Sequence, residues 1–189
     1  MSCFKTQFYL IILITYHLIS PSKMDQNKII EHFHYTGKNN PAWDYYHSQG
    51  KLRTIGNGFI CHICRILPSM RMKNALYRFI GVNIGKHVVI AAYVIIDPYF
   101  PELITIEDNV IIGVGATILA HEYSQHGLRK APVHIKKQAL IGGQSLIRSG
   151  VTIGEYAIVA AQSLVNKDVP DHTTVGGIPA KKLINTKDP

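Results

Sequence analysis

Stepping back in sixes from Val165 meets Val159, Ile153, Ile147, Ile141 and Ile135 without a gap. The same step joins Ile84, Ile90 and Ile96, and again Ile106, Ile112 and Ile118. Neither an isolated helix, with about 3.6 residues per turn, nor an isolated strand, with a period of about 2, produces such a step. The chain must turn a corner once per hexad and wind on itself as a solenoid. Three hexads close a triangular coil, so these rungs describe about four coils of a mainly β fold. Four residues past each rung a smaller side chain usually follows, among them Val88, Val94, Ala116, Ala139, Ser145 and Ala157; only Phe100 and Glu122 break this rule. The β-branched rungs are expected to point inward at the corners and to stack one coil apart. The small residues after them (Gly85, Ala91, Gly113, Gly142, Gly154, Ala160) are expected to ease a sharp corner. A parallel sheet buried within itself accounts for the wealth of Ile and Val.

The ladder is interrupted twice. Ile96 and Ile106 stand ten apart, four more than a hexad, around Asp97-Pro98-Tyr99-Phe100-Pro101. Ile118 and Ile135 stand seventeen apart, and the extra residues run from His121-Glu122-Tyr123 to Lys130-Ala131-Pro132. Solenoids accept insertions as loops leaving a corner, and such loops often build the binding face. Each break follows the third hexad of its coil, so the two insertions are expected side by side.

Residues 24–80 carry no hexad. Residues 27–34 read as a short helical turn, Asn39-Asn40-Pro41 as a break, and Gly50, Gly56 and Gly58 as loop markers. The apolar spacing of 59–79 suits one or two helices interrupted at Pro68. This mostly helical segment is expected to cap the open end of the solenoid, whose edges need covering. Its cations Arg65, Arg71, Lys73 and Arg78 also allow a basic surface toward a membrane or a lipid-linked substrate. Ahead of it, residues 1–23 contain an apolar run at 8–19, too short to span a bilayer comfortably. An export signal, a peripheral helix and an extension upstream of a start at Met24 are all consistent with that run. The expected division is 1–23, 24–80, a solenoid over 81–184 with a long loop at 119–134, and a tail over 185–189.

A formal net charge of +8 directs attention to anionic partners. The charge is spread out, with no Lys/Arg block and no aromatic RNA-binding signature, which favours a phosphorylated small molecule over nucleic acid. Cys61 and Cys64 form a CxxC around His62, but no second ligand pair follows. They read as reduced thiols on a partly apolar helix rather than as a zinc site.

The tail "SGVTIGEYAIVAAQSLVNKDVPDHTTVGGIPAKKL" adds a GVTIG step, a small-residue coil, a VxKD-V-P step and a closing G-x-P-A. With the hexads and the His-bearing insertion, these make residues 84–183 resemble the hexapeptide-repeat acyltransferases, nearest the galactoside, maltose and xenobiotic acetyltransferase branch. The resemblance implies a left-handed parallel β-helix and transfer of acetyl from acetyl-CoA to a hydroxyl, less often an amine, without a metal. It implies that His121 is the general base, a role suited to imidazole, which takes up a proton near neutrality. Asp97 falls where relatives hold a polar residue against the acceptor, and it equally suits a turn before Pro98. Glu122 would orient the imidazole, contact the acceptor or stand in solvent. Tyr99 and Phe100 would wall the acceptor site or pack on the cap.

For CoA, the resemblance implies a groove where Gly142, Gly143, Ala160 and Ala161 admit the pantetheine. Asn166, Lys167 and Lys181 would lie near its phosphates. Leu140 departs from the Trp that many relatives carry there. The resemblance further implies a cytoplasmic homotrimer with sites between subunits, acting on a sugar or polysaccharide precursor. Two other readings stand beside it. One is a gamma-type carbonic anhydrase using His121 and His126, five apart, with His87 or His134. The other is a non-catalytic hexapeptide scaffold.

Overall fold

The computed structural model describes residues 31–38, 40–43 and 51–183. The apolar segment 1–23, residues 27–30 of the expected helical turn and the tail 185–189 lie outside them.

From Asn83 onward short strands build three parallel faces. The first holds β2 (Asn83–Ile84), β5 (Ile104–Ile106), β10 (Val133–Ile135) and β13 (Thr152–Ile153). The second holds β3 (Val89–Ile90), β6 (Ile111–Ile112), β11 (Leu140–Ile141), β14 (Ile158–Val159) and β16 (Thr174–Gly176). The third holds β4 (Ile95–Ile96), β7 (Thr117–Ile118), β12 (Leu146–Ile147) and β15 (Leu164–Val165). The register sets each rung on the rung one coil away. Ile106 pairs with Ile84 and Ile135, Ile141 with Ile112 and Val159, and Ile147 with Ile118 and Val165. Val169 bridges to Ile153 and Val175 pairs with Val159, so the winding continues past the last regular rung. Ile90, Ile96, Ile112, Ile118 and Ile141 are wholly buried, and the smaller Val110, Ala116 and Ala157 fill the interior beside them. Side chains alternate across a strand, so the residue before each rung, such as Val89, Ile111 or Ile158, faces outward.

The rungs do not occupy the corners, as expected above, but the flat faces. The corner falls three residues later, where His87, Tyr93, Asn109, Gln138, Gln144, Tyr156, Gln162 and His172 all hold φ of 53–60°. Left-handed backbone is unfavourable for such residues by about 1–2 kcal/mol each. Stacking offsets part of that cost from the second coil on, where corner N–H groups reach carbonyls of the adjacent coil, as in Gln138 N to Asp108 O (3.0 Å) and Gln144 N to Val114 O (2.8 Å). In the first coil Tyr93 N donates instead to Arg65 O (2.7 Å). Gly85 and Gly113 are small for a different reason. A Cβ on Gly85 would stand 2.7 Å from Asp108 N, and one on Gly113 would stand 2.5 Å from Gly143 N. The neighbouring coil, rather than the bend, excludes a side chain there.

Helices α1 (Lys51–Ile66) and α2 (Met70–Phe79) lie on the first coil. Pro68 separates them, and the Ser69 hydroxyl accepts from Met72 N (3.4 Å) to start α2. The first coil has no predecessor to bond its outward carbonyls, and helix side chains take that place on every face. Arg78 donates to Ile84 O and Gly85 O (2.9 and 2.6 Å), Lys73 Nζ to Ile90 O and Ala91 O (2.9 and 3.1 Å), and Asn74 to Val88 O (2.8 Å). The Cys61 thiol points at Ile96 O, 3.7 Å away. Lys73 and Arg78 therefore serve the fold. Burial pulls the Lys73 ammonium below its ordinary pKa, an effect that the Cys64 thiol opposes. Cys61 and Cys64 are free and buried, as expected, and burial pushes their thiols up to about 12 and about 11.

Three expectations of local structure change. Gly56 and Gly58 lie inside α1 instead of in loops, and nothing stands within 4 Å of a Cβ at either position. Gly56→Ala and Gly58→Ala should each stabilise the fold by about 0.5–1 kcal/mol, read as a higher urea or thermal midpoint. An unchanged midpoint would contradict the helical placement. Residues Glu31–His34 form β1, an extended strand instead of a helical turn. The expected long loop is a hairpin of β8 (His121–Ser124) and β9 (Gly127–Lys130), to which β1 adds antiparallel. A final strand, β17 (Lys181–Lys182), folds back on β16.

Candidate active site

The corner after the third face carries Asp97, then Ala120-His121, then Arg148-Ser149, then Asn166-Lys167, one set per coil. The two insertions leave this corner from adjacent coils, and Asp97 ties them together. It is wholly buried. Its Oδ1 accepts from Tyr99 N (2.9 Å) and Phe100 N (3.4 Å), closing the turn of its own insertion. Its Oδ2 accepts from Ala120 N (2.9 Å) and His121 N (3.0 Å) of the next coil, and also meets His121 Nδ1 at short range. An acceptor contact was one expectation for Asp97; its carboxylate is instead closed off, with both oxygens occupied within the protein.

The His121 imidazole starts β8 and packs among three aromatic rings: Tyr99 at 4.9 Å, Phe100 at 5.5 Å and Tyr123 at 5.2 Å between centroids. Its side chain is 12% exposed, enough to keep an opening at the ring. Nδ1 faces Asp97, and Nε2 has no hydrogen-bond partner among the described residues. A buried carboxylate next to Nδ1 favours the tautomer with the proton on that nitrogen, leaving Nε2 as a lone-pair base. Tyr99 and Phe100 thus wall the imidazole itself.

Glu122 turns away to the neighbouring coil. Arg148 Nε donates to it at 2.9 Å, Arg148 Nη2 at still shorter range, Ser149 Oγ at 3.1 Å, and Arg129 Nη1 stands 3.6 Å away. Burial favours its neutral form. The hydrogen bonds and charge of Arg148, with smaller help from Ser149 and Arg129, outweigh it and hold the carboxyl below its ordinary pKa. Sequence reasoning overlooked Arg148. Its signal, a long cationic side chain directly after the rung Ile147, is shared by Lys136 after Ile135 and so did not single it out. Beside this network, β1 and the hairpin enclose a cavity of about 360 Å³ lined by Phe33, His34, Tyr123, Arg129 and Arg148.

The residues read as a CoA groove separate into two groups. Gly142-Gly143 and Ala160-Ala161 stack at the corner between the second and third faces, continuing from Gly113-Val114. Lys181 pairs with Gly176 at the end of that stack. Asn166 and Lys167 stand exposed at the other edge of the third face, on the corner of His121. Leu140 is exposed on the second face. Of the other histidines, His126 sits in the hairpin turn, His87 at a first-coil corner, and His134 bonds Glu107 at 2.6 Å. Among the described residues no three His, Cys, Asp or Glu side chains gather as metal ligands.

The family described as "Hexapeptide repeat of succinyl-transferase" matches residues 132–166. The chain is 42% identical over 150 residues to the Bacillus subtilis protein named "Putative acetyltransferase YvoF", covering 79% of this chain and 87% of that one. The Escherichia coli galactoside O-acetyltransferase is 33% identical over 103 residues, about half of each chain. Among solved structures, a Vibrio cholerae hexapeptide-repeat acetyltransferase complexed with acetyl coenzyme A superposes with a TM-score of 0.62 at 29% identity, covering 73% of this chain and 89% of that one. With 42% identity across most of both chains to an acetyltransferase relative, and a stacked ladder that superposes on a solved hexapeptide-repeat acetyltransferase, this chain belongs to the hexapeptide-repeat acetyltransferase family.

Proposed function

We propose that the protein transfers an acetyl group from acetyl-CoA to a hydroxyl of a sugar or polysaccharide precursor, with His121 as general base. The observation that carries this reading is the Asp97–His121 pair: a wholly buried carboxylate on Nδ1 and a partly exposed ring whose Nε2 is unengaged. An alcohol is too weak an acid to attack unaided, so Nε2 takes its proton as the oxygen bonds to the thioester carbonyl carbon. Asp97 stabilises the imidazolium formed at that moment. The tetrahedral adduct then collapses, the C–S bond breaks, and the Nε2 proton passes to the departing sulfur. Asp97 is accordingly a positioning residue, and Glu122, bound by Arg148, shapes the hairpin rather than the acceptor.

The acyl donor would lie along the small-residue corner at Gly142, Gly143, Ala160 and Ala161, where side chains leave the backbone open to pantetheine. Lys181, and Lys167 with Asn166 on the other edge, would face its phosphates. His121 and the small-residue corner occupy opposite edges of the third face in one chain. That separation supports a homotrimer, in which the histidine of one subunit faces the groove of its neighbour. The same reading takes the solenoid as left-handed, with four triangular coils capped by α1 and α2. It places the protein in the cytoplasm, where acetyl-CoA is made, with a peripheral membrane contact. The dispersed His126, His87 and His134 speak against a carbonic-anhydrase site.

Titration calorimetry with CoA, followed by thiol release from acetyl-CoA across a panel of saccharides, tests the proposal. Micromolar CoA binding and acceptor-dependent thiol release are expected. Absence of both would leave the scaffold reading standing.

A further inference from the structure

The face of the helical pair turned away from the solenoid lies apart from the His121 corner and carries a distinct apolar pattern. On α1, Asn57, Cys61 and Cys64 are buried toward the first coil. Leu52, Ile55, Phe59 and Ile66, spaced by three, four and seven, run along the opposite side, and Leu52 is 88% and Phe59 67% exposed. On α2, Lys73, Asn74 and Tyr77 are buried, while Met72 and Phe79 stand exposed on the far side. Both stripes therefore point away from the coil. Monomeric surfaces seldom leave such contiguous apolar patches uncovered.

Charge decides what covers it. Between Asp44 and Asp97 the sequence contains no Asp or Glu, while the two helices hold Lys51, Arg53, Arg65, Arg71, Lys73 and Arg78. Of these, Arg53 meets a carboxylate, Glu102 at 2.5 Å. Lys73 is buried against the first coil and Arg78 donates to its carbonyls, so the charge that the outward side offers a partner is that of exposed Arg71 and partly exposed Arg65. A second copy laid face to face would oppose cation with cation. The apolar run of this chain at 8–19 sits in a segment, 1–23, that has Lys5 and Lys23 and no acid, so it would not neutralise the surface either. An anionic lipid surface offers both an apolar layer for the stripes and headgroup charge for the cations. We infer that the outward face of α1 and α2 docks the protein on membranes rich in anionic phospholipid.

The test is co-sedimentation of the full chain with vesicles of phosphatidylcholine alone or mixed with phosphatidylglycerol. The expected result is binding to the mixed vesicles at least about tenfold tighter than to the neutral ones, and weaker as salt rises. The double variant Leu52→Ser/Phe59→Ser and, separately, Arg71→Glu should each weaken it about tenfold. Acetyl transfer to a soluble acceptor should be unchanged in both, since none of these residues touches the His121 corner. No binding to the mixed vesicles would overturn the inference. So would equal binding to neutral vesicles, undiminished binding of both variants, or a change in assembly state as the principal effect of the serine pair.

Discussion

His121→Ala lowers kcat/KM for acetyl transfer by about 10²- to 10⁴-fold, the usual worth of a positioned general base. The loss falls on kcat, because Nε2 acts only as the hydroxyl oxygen attacks, and CoA affinity measured by calorimetry stays within about twofold. The fold should survive, since the ring is partly exposed and its backbone N–H to Asp97 Oδ2 (3.0 Å) does not depend on the side chain. His121→Gln is the harder test. Glutamine can keep a hydrogen bond toward Asp97 but has no basic nitrogen, so its turnover should match that of the alanine variant. Turnover within about threefold of the wild type in either variant would remove His121 from the chemistry and with it the proposed mechanism.

Much of this architecture is legible in the sequence because one physical demand repeats at every coil. Ile84, Ile106, Ile135 and Ile153 are alike because each packs on the next, and a shared demand leaves a shared residue type. The corners left no such trace. Asn109, Gln138 and Tyr156 adopt the same left-handed backbone with dissimilar side chains, since the N–H is held by the coil beneath and the side chain is exposed. Glycines were informative but for another reason than expected, recording the close approach of Asp108 or Gly143 in the adjacent coil.

The site was legible in position and not in detail. Counting hexads placed Asp97 and His121 at one corner, because the length of each insertion is a sequence property. Which atoms meet is a property of packing between coils, and no local pattern reports it. The hairpin is a case in point: its strands lack an alternating apolar face, and β1, which completes the sheet through pairs such as Phe33 with Leu128, comes from before the helices. Arg148 reaches Glu122 across the same kind of gap, from the following coil.

Asp97→Asn has the second large effect, and its argument is geometric. Oδ1 and Oδ2 together accept four backbone N–H groups and face the His121 ring. An amide presents one oxygen and one NH2. If the oxygen stays on Tyr99 and Phe100, the NH2 opposes the N–H groups of Ala120 and His121 and can only accommodate an imidazole with its lone pair on Nδ1. The proton then resides on Nε2, the nitrogen that must act as base. If the amide flips, the Tyr99–Phe100 turn loses its acceptor instead. Either way, kcat should drop by at least about 10²-fold, toward the about 10⁴-fold that follows when the carboxylate partner of a triad imidazole is replaced by its amide. Unfolding stability should fall by about 1–3 kcal/mol for the buried donors left unpaired. A double-mutant cycle separates the two consequences. In a His121→Ala background, Asp97→Asn should still lower the unfolding midpoint but cost less than about threefold in residual turnover, since the imidazole it orients is gone. If instead the turnover penalty is as large as in the wild type, Asp97 supports the fold alone and takes no part in setting the base.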